Sequence, residues 1–275
     1  MKINHLLTII MCLGLHLTAW SGENHADELP NHITSIIDNA PMILIPAGEF
    51  IYGMSQPQLD SILKKLGTHK SHLFKKIFDR QLKKLPAYYI DKYEVTNKQY
   101  MAFVKATGHR KPRFINDKRY ADLRQPVVGI GIQDAKKYAK WAGKRLPTEE
   151  EWEKAARGRD GNLWPWGDVP SSKKYNGKRQ ANWLPVSVGS FPAGNSPLGL
   201  SDMAGNVWEM TTGVWGNTSP AMRGGCFLNA GAFTLTVTRW APDKQAEMTG
   251  ANWLGFRCVM DITDEVLKKI KKEKE

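Results

Sequence analysis

The stretch from Gly161 to Asp261 constrains this chain more than any other. It is rich in Gly, Pro, Asn and Trp and poor in helical periodicity, so it reads as long ordered loops and short strands pinned by aromatic side chains. Ordered loops of this extent need a staple other than a small apolar core. The octapeptide Asp202-Met203-Ala204-Gly205-Asn206-Val207-Trp208-Glu209 offers one, with two carboxylates flanking a turn that can aim backbone carbonyls inward. Calcium is a hard cation that takes about six to eight oxygens from such a mixture, whereas the plainer alternative is that both acids cap turns.

With 275 residues, 41% of them hydrophobic, the chain can build one large core or two small ones, and the lack of a low-complexity linker favours one domain over residues 42–261. Residues 1–21 have the pattern of a secretory signal peptide: Lys2, an apolar run from Leu6 to Trp20, then the small residues Ala19 and Ser21 ahead of Gly22. The run falls short of the roughly 20 residues that span a bilayer. The mature chain is therefore expected to be periplasmic or secreted and to have no transmembrane segment. Losing the leader removes only Lys2, so a net charge of +12 becomes +11. An excess of this size can attract nucleic acid, anionic lipid or an acidic protein. Many of the basic residues cluster in residues 64–84 and in the basic tail 262–275, both of which read as solvated helix faces, and no nucleic-acid partner is expected.

Residues 22–41 read as a loosely held N-terminal extension, followed by strand-like alternation at Ile43, Ile45, Phe50 and Tyr52. Leu59, Ile62, Leu63 and Leu66 have helical spacing, and Phe74, Ile77, Phe78 and Leu82 repeat it after Gly67, which predicts an inserted helical hairpin over 57–84, packed on the domain with its basic face outward. Thr96 is a good N-cap for a helix ending near Gly108, and Asp134 is expected to open another ending at Gly143. Thr148 and Glu151 form a capping box for a third helix with Trp152, Ala155 and Ala156 on its apolar face.

Several short motifs occur in an order that resembles one known family. They are Met42-Ile43-Leu44-Ile45-Pro46-Ala47-Gly48-Glu49-Phe50, Tyr93-Glu94-Val95-Thr96-Asn97, Gly143-Lys144-Arg145-Leu146-Pro147-Thr148-Glu149, Trp164-Pro165-Trp166-Gly167, Gly205-Asn206-Val207-Trp208-Glu209, Arg223-Gly224-Gly225 and Leu254-Gly255-Phe256-Arg257. Together they resemble the formylglycine-generating enzyme (sulfatase-modifying factor) family over residues 42–261. The resemblance implies an α+β fold, a variant of the C-type-lectin fold with long loops, to which the 57–84 insertion has no counterpart. It also implies structural calcium held by the side chains of Asp202 and Glu209 and the carbonyls of Gly205 and Val207. A second calcium would use Asn182 and the carbonyl of Trp183, but its downstream acidic ligand has no equivalent in 186–195.

The family's oxidase chemistry uses two cysteines as soft copper(I) ligands. Asn229 and Thr234 stand at those positions, so the resemblance implies neither copper nor formylglycine formation here. Cys226 replaces a pocket serine and is a candidate lone thiol, and Ala139 stands where some members have a disulfide partner for the position of Cys258. Two cysteines in an exported chain also admit a Cys226–Cys258 disulfide, the blander reading being two buried apolar side chains. Trp208, Arg223, Cys226, Asn229, Thr234, Arg239, Trp240 and Trp253 fall in the segments that frame the family's substrate pocket, although each Trp has an equal claim to be loop core. Of the histidines, His69 and His72 are spaced for a metal but flank a helix break and read as exposed polar residues. The expectation is an exported protein of this fold that binds, or assists the maturation of, an extracytoplasmic protein or takes a small ligand. The rival readings are an oxidative enzyme with a non-standard site and a lectin-like ligand binder.

Overall fold

The computed structural model describes residues 29–68, 74, 77, 79–178, 183–215 and 219–272. The leader, part of the N-terminal extension, His69, His72 and Asn182 lie outside the described residues. Among the described residues no helix is long and apolar enough to cross a membrane.

Strands β1 (His32–Thr34), β2 (Pro41–Ile45), β5 (Tyr88–Asp91) and β10 (Val259–Asp261) form an antiparallel sheet in the order β1-β2-β5-β10. Register places Ile43 opposite Ile90 and Ile90 opposite Val259, and this apolar row packs with Trp152, Ala155 and Ala156 of the helix over Glu149–Arg157. Met42, Leu44 and Tyr89 alternate onto the other face, which is also covered. A strand with both faces buried reads as the continuous apolar run that β2 shows.

Residues 29–41, expected to be loosely held, are tied to the core. His32–Thr34 pair with β2, and the Asp38 carboxylate is fully buried on Lys144, at 2.8 Å. The extension is a strap across the core, fixed by an ion pair whose partners are far apart in sequence.

Residues 57–84 depart from the expected helical hairpin. Helix α1 (Gln56–Lys65) forms as its spacing predicts and buries Leu59, Ile62 and Leu63. Residues 81–85, however, form β4 (Gln81–Leu85), an antiparallel partner of β3 (Gly48–Tyr52). Leu82 is exposed and Lys83 bonds Glu150 at 2.8 Å, so the end of the insertion is a two-stranded ribbon and not a second helix. Phe74 does pack inward, with Leu59, Ile62, Trp164 and Leu235.

Helix α2 (Asn97–Thr107) starts at its Thr96 cap and ends at Gly108, whose φ of 71° gives the left-handed cap that glycine favours. Helix α3 (Ile132–Trp141) begins at Gly131, and Asp134 lies in its first turn with its carboxylate accepting from the Gly131 N–H at 2.8 Å, rather than preceding the helix. Helix α4 (Glu149–Arg157) carries the capping box, with Thr148 Oγ1 accepting from the Glu151 N–H at 3.1 Å and Glu151 Oε2 from the Thr148 N–H at 2.8 Å. A second sheet runs β8 (Arg239–Trp240), β7 (Ser219–Arg223), β6 (Trp208–Trp215), β9 (Leu254–Gly255), with β6 and β9 parallel. The short helices α5 (Lys244–Thr249) and α6 (Asp264–Lys272) complete the chain.

Candidate functional site

The outer end of the second sheet opens into a groove of about 640 Å³ walled by Trp208, Trp215, Trp240, Trp253 and Phe233. Trp215 and Trp240 lie 5.9 Å apart between ring centroids, and Phe233 meets Trp240 edge-on at 5.8 Å. Phe74 of the insertion backs Phe233 at 5.2 Å, so the insertion buttresses the groove wall. Trp208 and Trp215 share β6, but four residue steps from Met210 to Val214 oppose only two on β7, and alternation counted from Trp208 does not carry across that irregularity. Gly213 sits within it, where a Cβ would collide with the Glu149 carboxylate.

Cys226 and Asn229 lie in the groove floor. Asn229 Oδ1 accepts from the Cys226 backbone N–H at 3.0 Å and from its thiol at 3.2 Å. Burial pushes the Cys226 thiol up to about 12, so it stays protonated at neutral pH and is a poor nucleophile or soft-metal ligand. Cys258 is fully buried on the core side, its thiol pushed up by burial and by Asp91, and both cysteines are free, which excludes the Cys226–Cys258 disulfide.

Three residues assigned to the pocket from sequence are not in it. Arg223 is fully buried beneath the groove and pairs with Glu153, which also takes Arg157 at 2.8 Å and the Gly53 N–H at 2.7 Å. Arg239 turns inward to grip Glu149 through two nitrogens, Nε at 2.7 Å, and bonds the Val214 carbonyl at 3.0 Å. Thr234 is buried, accepting from the Trp164 indole at 3.2 Å and donating to the Gly231 carbonyl at 2.9 Å. Glu149 and Glu153, one turn apart on α4, therefore draw both arginines down into a buried ionic layer. The groove itself has no Lys or Arg among its described lining residues and one carboxylate, Asp243. Sequence reasoning missed Trp215, Phe233 and Asp243, whose only local signals were aromatic identity and a helix N-cap.

The loop over 202–207, expected from sequence to hold calcium, leads into β6. Asp202, Gly205 and Asn206 all have left-handed backbone, at φ 59°, 81° and 57°, which turns the chain sharply inward. Glu209 is fully buried and accepts from Arg257 Nε and Nη2 at 2.6 and 2.7 Å and from the Trp152 indole at 2.7 Å. A cation at this loop would have to share Glu209 with Arg257 or do without it. Asp202 accepts from the Gly189 N–H at 2.6 Å, and burial pushes its carboxyl up to about 6. Glu94 is raised further by burial and then by Asp202, with Oε1 buried and unpartnered and Oε2 taking Asn206 Nδ2 at 3.3 Å. Three buried carboxylates thus face one guanidinium, and the orphaned Glu94 oxygen and Asp202 fit a hard cation better than Glu209 does. At the second site expected from sequence, Trp183 is 45% exposed with φ 64°. Among the described residues no three His, Cys, Asp or Glu side chains are grouped to hold a metal on their own, and His109 is engaged by Asp134 at 2.8 Å.

Residues 29–262 match the model of the sulfatase-modifying factor enzyme 1-like domain. An uncharacterized Bacillus subtilis protein, YfmG, is 31% identical over 278 residues, covering 80% of this chain and 54% of its own. The formylglycine-generating enzyme of Mycobacterium tuberculosis is 34% identical over 205 residues, 60% of this chain and 67% of that one. The chain thus spans about half the length of YfmG and two thirds of the mycobacterial enzyme. The structure of PvdO from Pseudomonas aeruginosa matches with a TM-score of 0.66 and 23% identity over 85% of this chain and 99% of that one, a likeness of fold alone.

Proposed function

The chain belongs to the sulfatase-modifying factor enzyme 1-like domain family, and on that premise we propose that it is a member without formylglycine-generating activity that binds, or assists the maturation of, an extracytoplasmic partner through its tryptophan groove. Its fold is α+β, the formylglycine-generating-enzyme-like variant of the C-type-lectin fold. One observation carries the proposal. The groove floor has a protonated thiol hydrogen-bonded to an amide at Cys226 and Asn229, and Thr234 is withdrawn into the core. A copper(I) oxidase needs paired thiolates there, and neither amide nor hydroxyl supplies one.

The aromatic walls favour binding over chemistry. Ring faces give contact area at low entropic cost, and indole-rich clefts are where binding energy concentrates. A small-ligand role follows from the same groove, and export is part of the proposal on the strength of the leader alone. Calcium is also part of it. Asp202, Glu94 and the carbonyls of Gly205 and Val207 would hold the ion, with Glu209 reaching it only in competition with Arg257, and its role there is to staple the loop.

A Cys-x-Pro-x-Arg peptide incubated with the purified protein and copper, then analysed by mass spectrometry, is expected to return unchanged. Conversion that disappears in Cys226→Ser would overturn the proposal.

A further inference from the structure

We propose that the groove recognises an organic cation, an amine or alkylated ammonium group on a partner or small molecule. The inference rests on the groove being a binding site, as proposed above, and adds the chemistry of what it takes.

The chain is strongly basic, yet the described groove lining has no basic side chain. The cause is structural. Arg223 and Arg239, which follow and precede groove residues in sequence, are drawn beneath the floor by Glu153 and Glu149. Their charges are neutralised in place, so the floor offers an anionic ligand no partner. Asp243 is the only charged residue in the described lining. It is exposed, and as N-cap of α5 it accepts from the Ala246 N–H at 2.8 Å through Oδ1, while no described hydrogen bond engages Oδ2.

Four indoles and a phenyl ring line the groove beside one carboxylate, and we take this aromatic wall with its acidic rim as the cage a cation would enter. Indole faces attract a desolvated cation through their quadrupole, and an alkylated ammonium loses little hydration on entering such a cage. The protein already shows the affinity internally, since the Arg239 guanidinium lies 5.2 Å from the Trp215 ring centre. A carbohydrate would stack on the same rings but has no use for the asymmetry of charge, and an acidic peptide is opposed by Asp243.

The test uses the full mature chain, with calorimetric titration and tryptophan fluorescence as readouts. Choline is the probe, 3,3-dimethylbutan-1-ol its neutral isostere, and glucose and acetate the remaining arms. Choline is expected to bind at least 10-fold tighter than the isostere, to weaken at least 10-fold in Trp240→Ala, and to weaken several-fold in Asp243→Asn. The last variant keeps the helix cap, because Asn caps as well as Asp. Equal or tighter binding of the isostere, glucose or acetate would overturn the cation while leaving the groove as a binding site. Silence from all four probes in a protein with native circular dichroism would overturn both.

Discussion

Replacing Lys144 by Met should cost this protein much of its stability, and in a pH-dependent way. The Lys144 ammonium is fully buried and bonds both Asp38 oxygens, at 2.9 and 2.8 Å, and Asp91 Oδ1 at 2.7 Å. Each acid has other donors: Tyr138 Oη at 2.7 Å for Asp38 and the Cys258 N–H at 2.9 Å for Asp91. Methionine keeps the packing volume of the lysine stem, so the lost cation dominates. Removing one partner of a buried ion cluster costs about 3–5 kcal/mol. For a domain of this size each kcal/mol moves Tm by roughly 2–4 °C, which gives a fall of about 6–20 °C at pH 8. With two carboxylates and no cation, the folded variant holds at least one of them protonated, and its folded pKa lies above the unfolded value. A raised folded pKa adds stability at low pH that is lost as pH rises through it. The gap between variant and wild type should therefore narrow from pH 8 to pH 5, as read by thermal circular dichroism. Lys144→Met with Asp91→Asn should recover part of the loss. A fall of under about 3 °C at pH 8, or one that does not change with pH, would refute the reasoning.

Glu153→Gln leaves Arg157 and Arg223 buried around a neutral amide, and an m-value-matched urea titration should report a loss of about 3 kcal/mol or more. The Cys226 thiol should resist a maleimide in the native state at pH 7 and react once urea is added, since burial holds it protonated near 12. In chelator, Asp202→Asn should melt above wild type. Asp202 has its pKa raised from 3.8 to about 6, so its ionisation penalty is absent at pH 4, grows as pH rises to 6 and is full beyond, and the gain in Tm should follow that window. Calcium should raise the wild-type Tm and leave that of Asp202→Asn nearly unmoved, both followed by scanning calorimetry.

Local signals in the sequence were read correctly where the physics is local. Thr148 and Glu151 exchange hydrogen bonds within one turn, and Gly108 closes α2 because its own backbone adopts the cap. Errors arose where a distant segment decides. Residues 81–85 have an apolar spacing compatible with a helix, but β3 offers them a ladder, and pairing to a strand some thirty positions away leaves no trace in a short window. Asp38 looked like part of a loose extension because Lys144 is 106 residues distant. Arg223 and Arg239 looked like groove residues because their neighbours are, while the acids that bury them, Glu149 at the start of α4 and Glu153 one turn on, lie some seventy to ninety positions away in sequence. The Trp pocket was half legible: Trp208, Trp240 and Trp253 from motif position, Trp215 only after the irregularity in β6 is seen.

The ionic layer under the groove separates two kinds of mutational risk. Its members, Glu149, Glu153, Arg223 and Arg239, answer to one another across a dry interior and tolerate change only in concert. The side chains above them, such as Leu228, Trp240 and Trp253, keep part of their surface in water, and exchanging any of them strands no buried charge. A lineage can therefore rewrite what the groove recognises at small expense in folding while inheriting the floor unchanged. A combinatorial library restricted to those upper positions should yield folded proteins at a far higher rate than one that reaches the arginines.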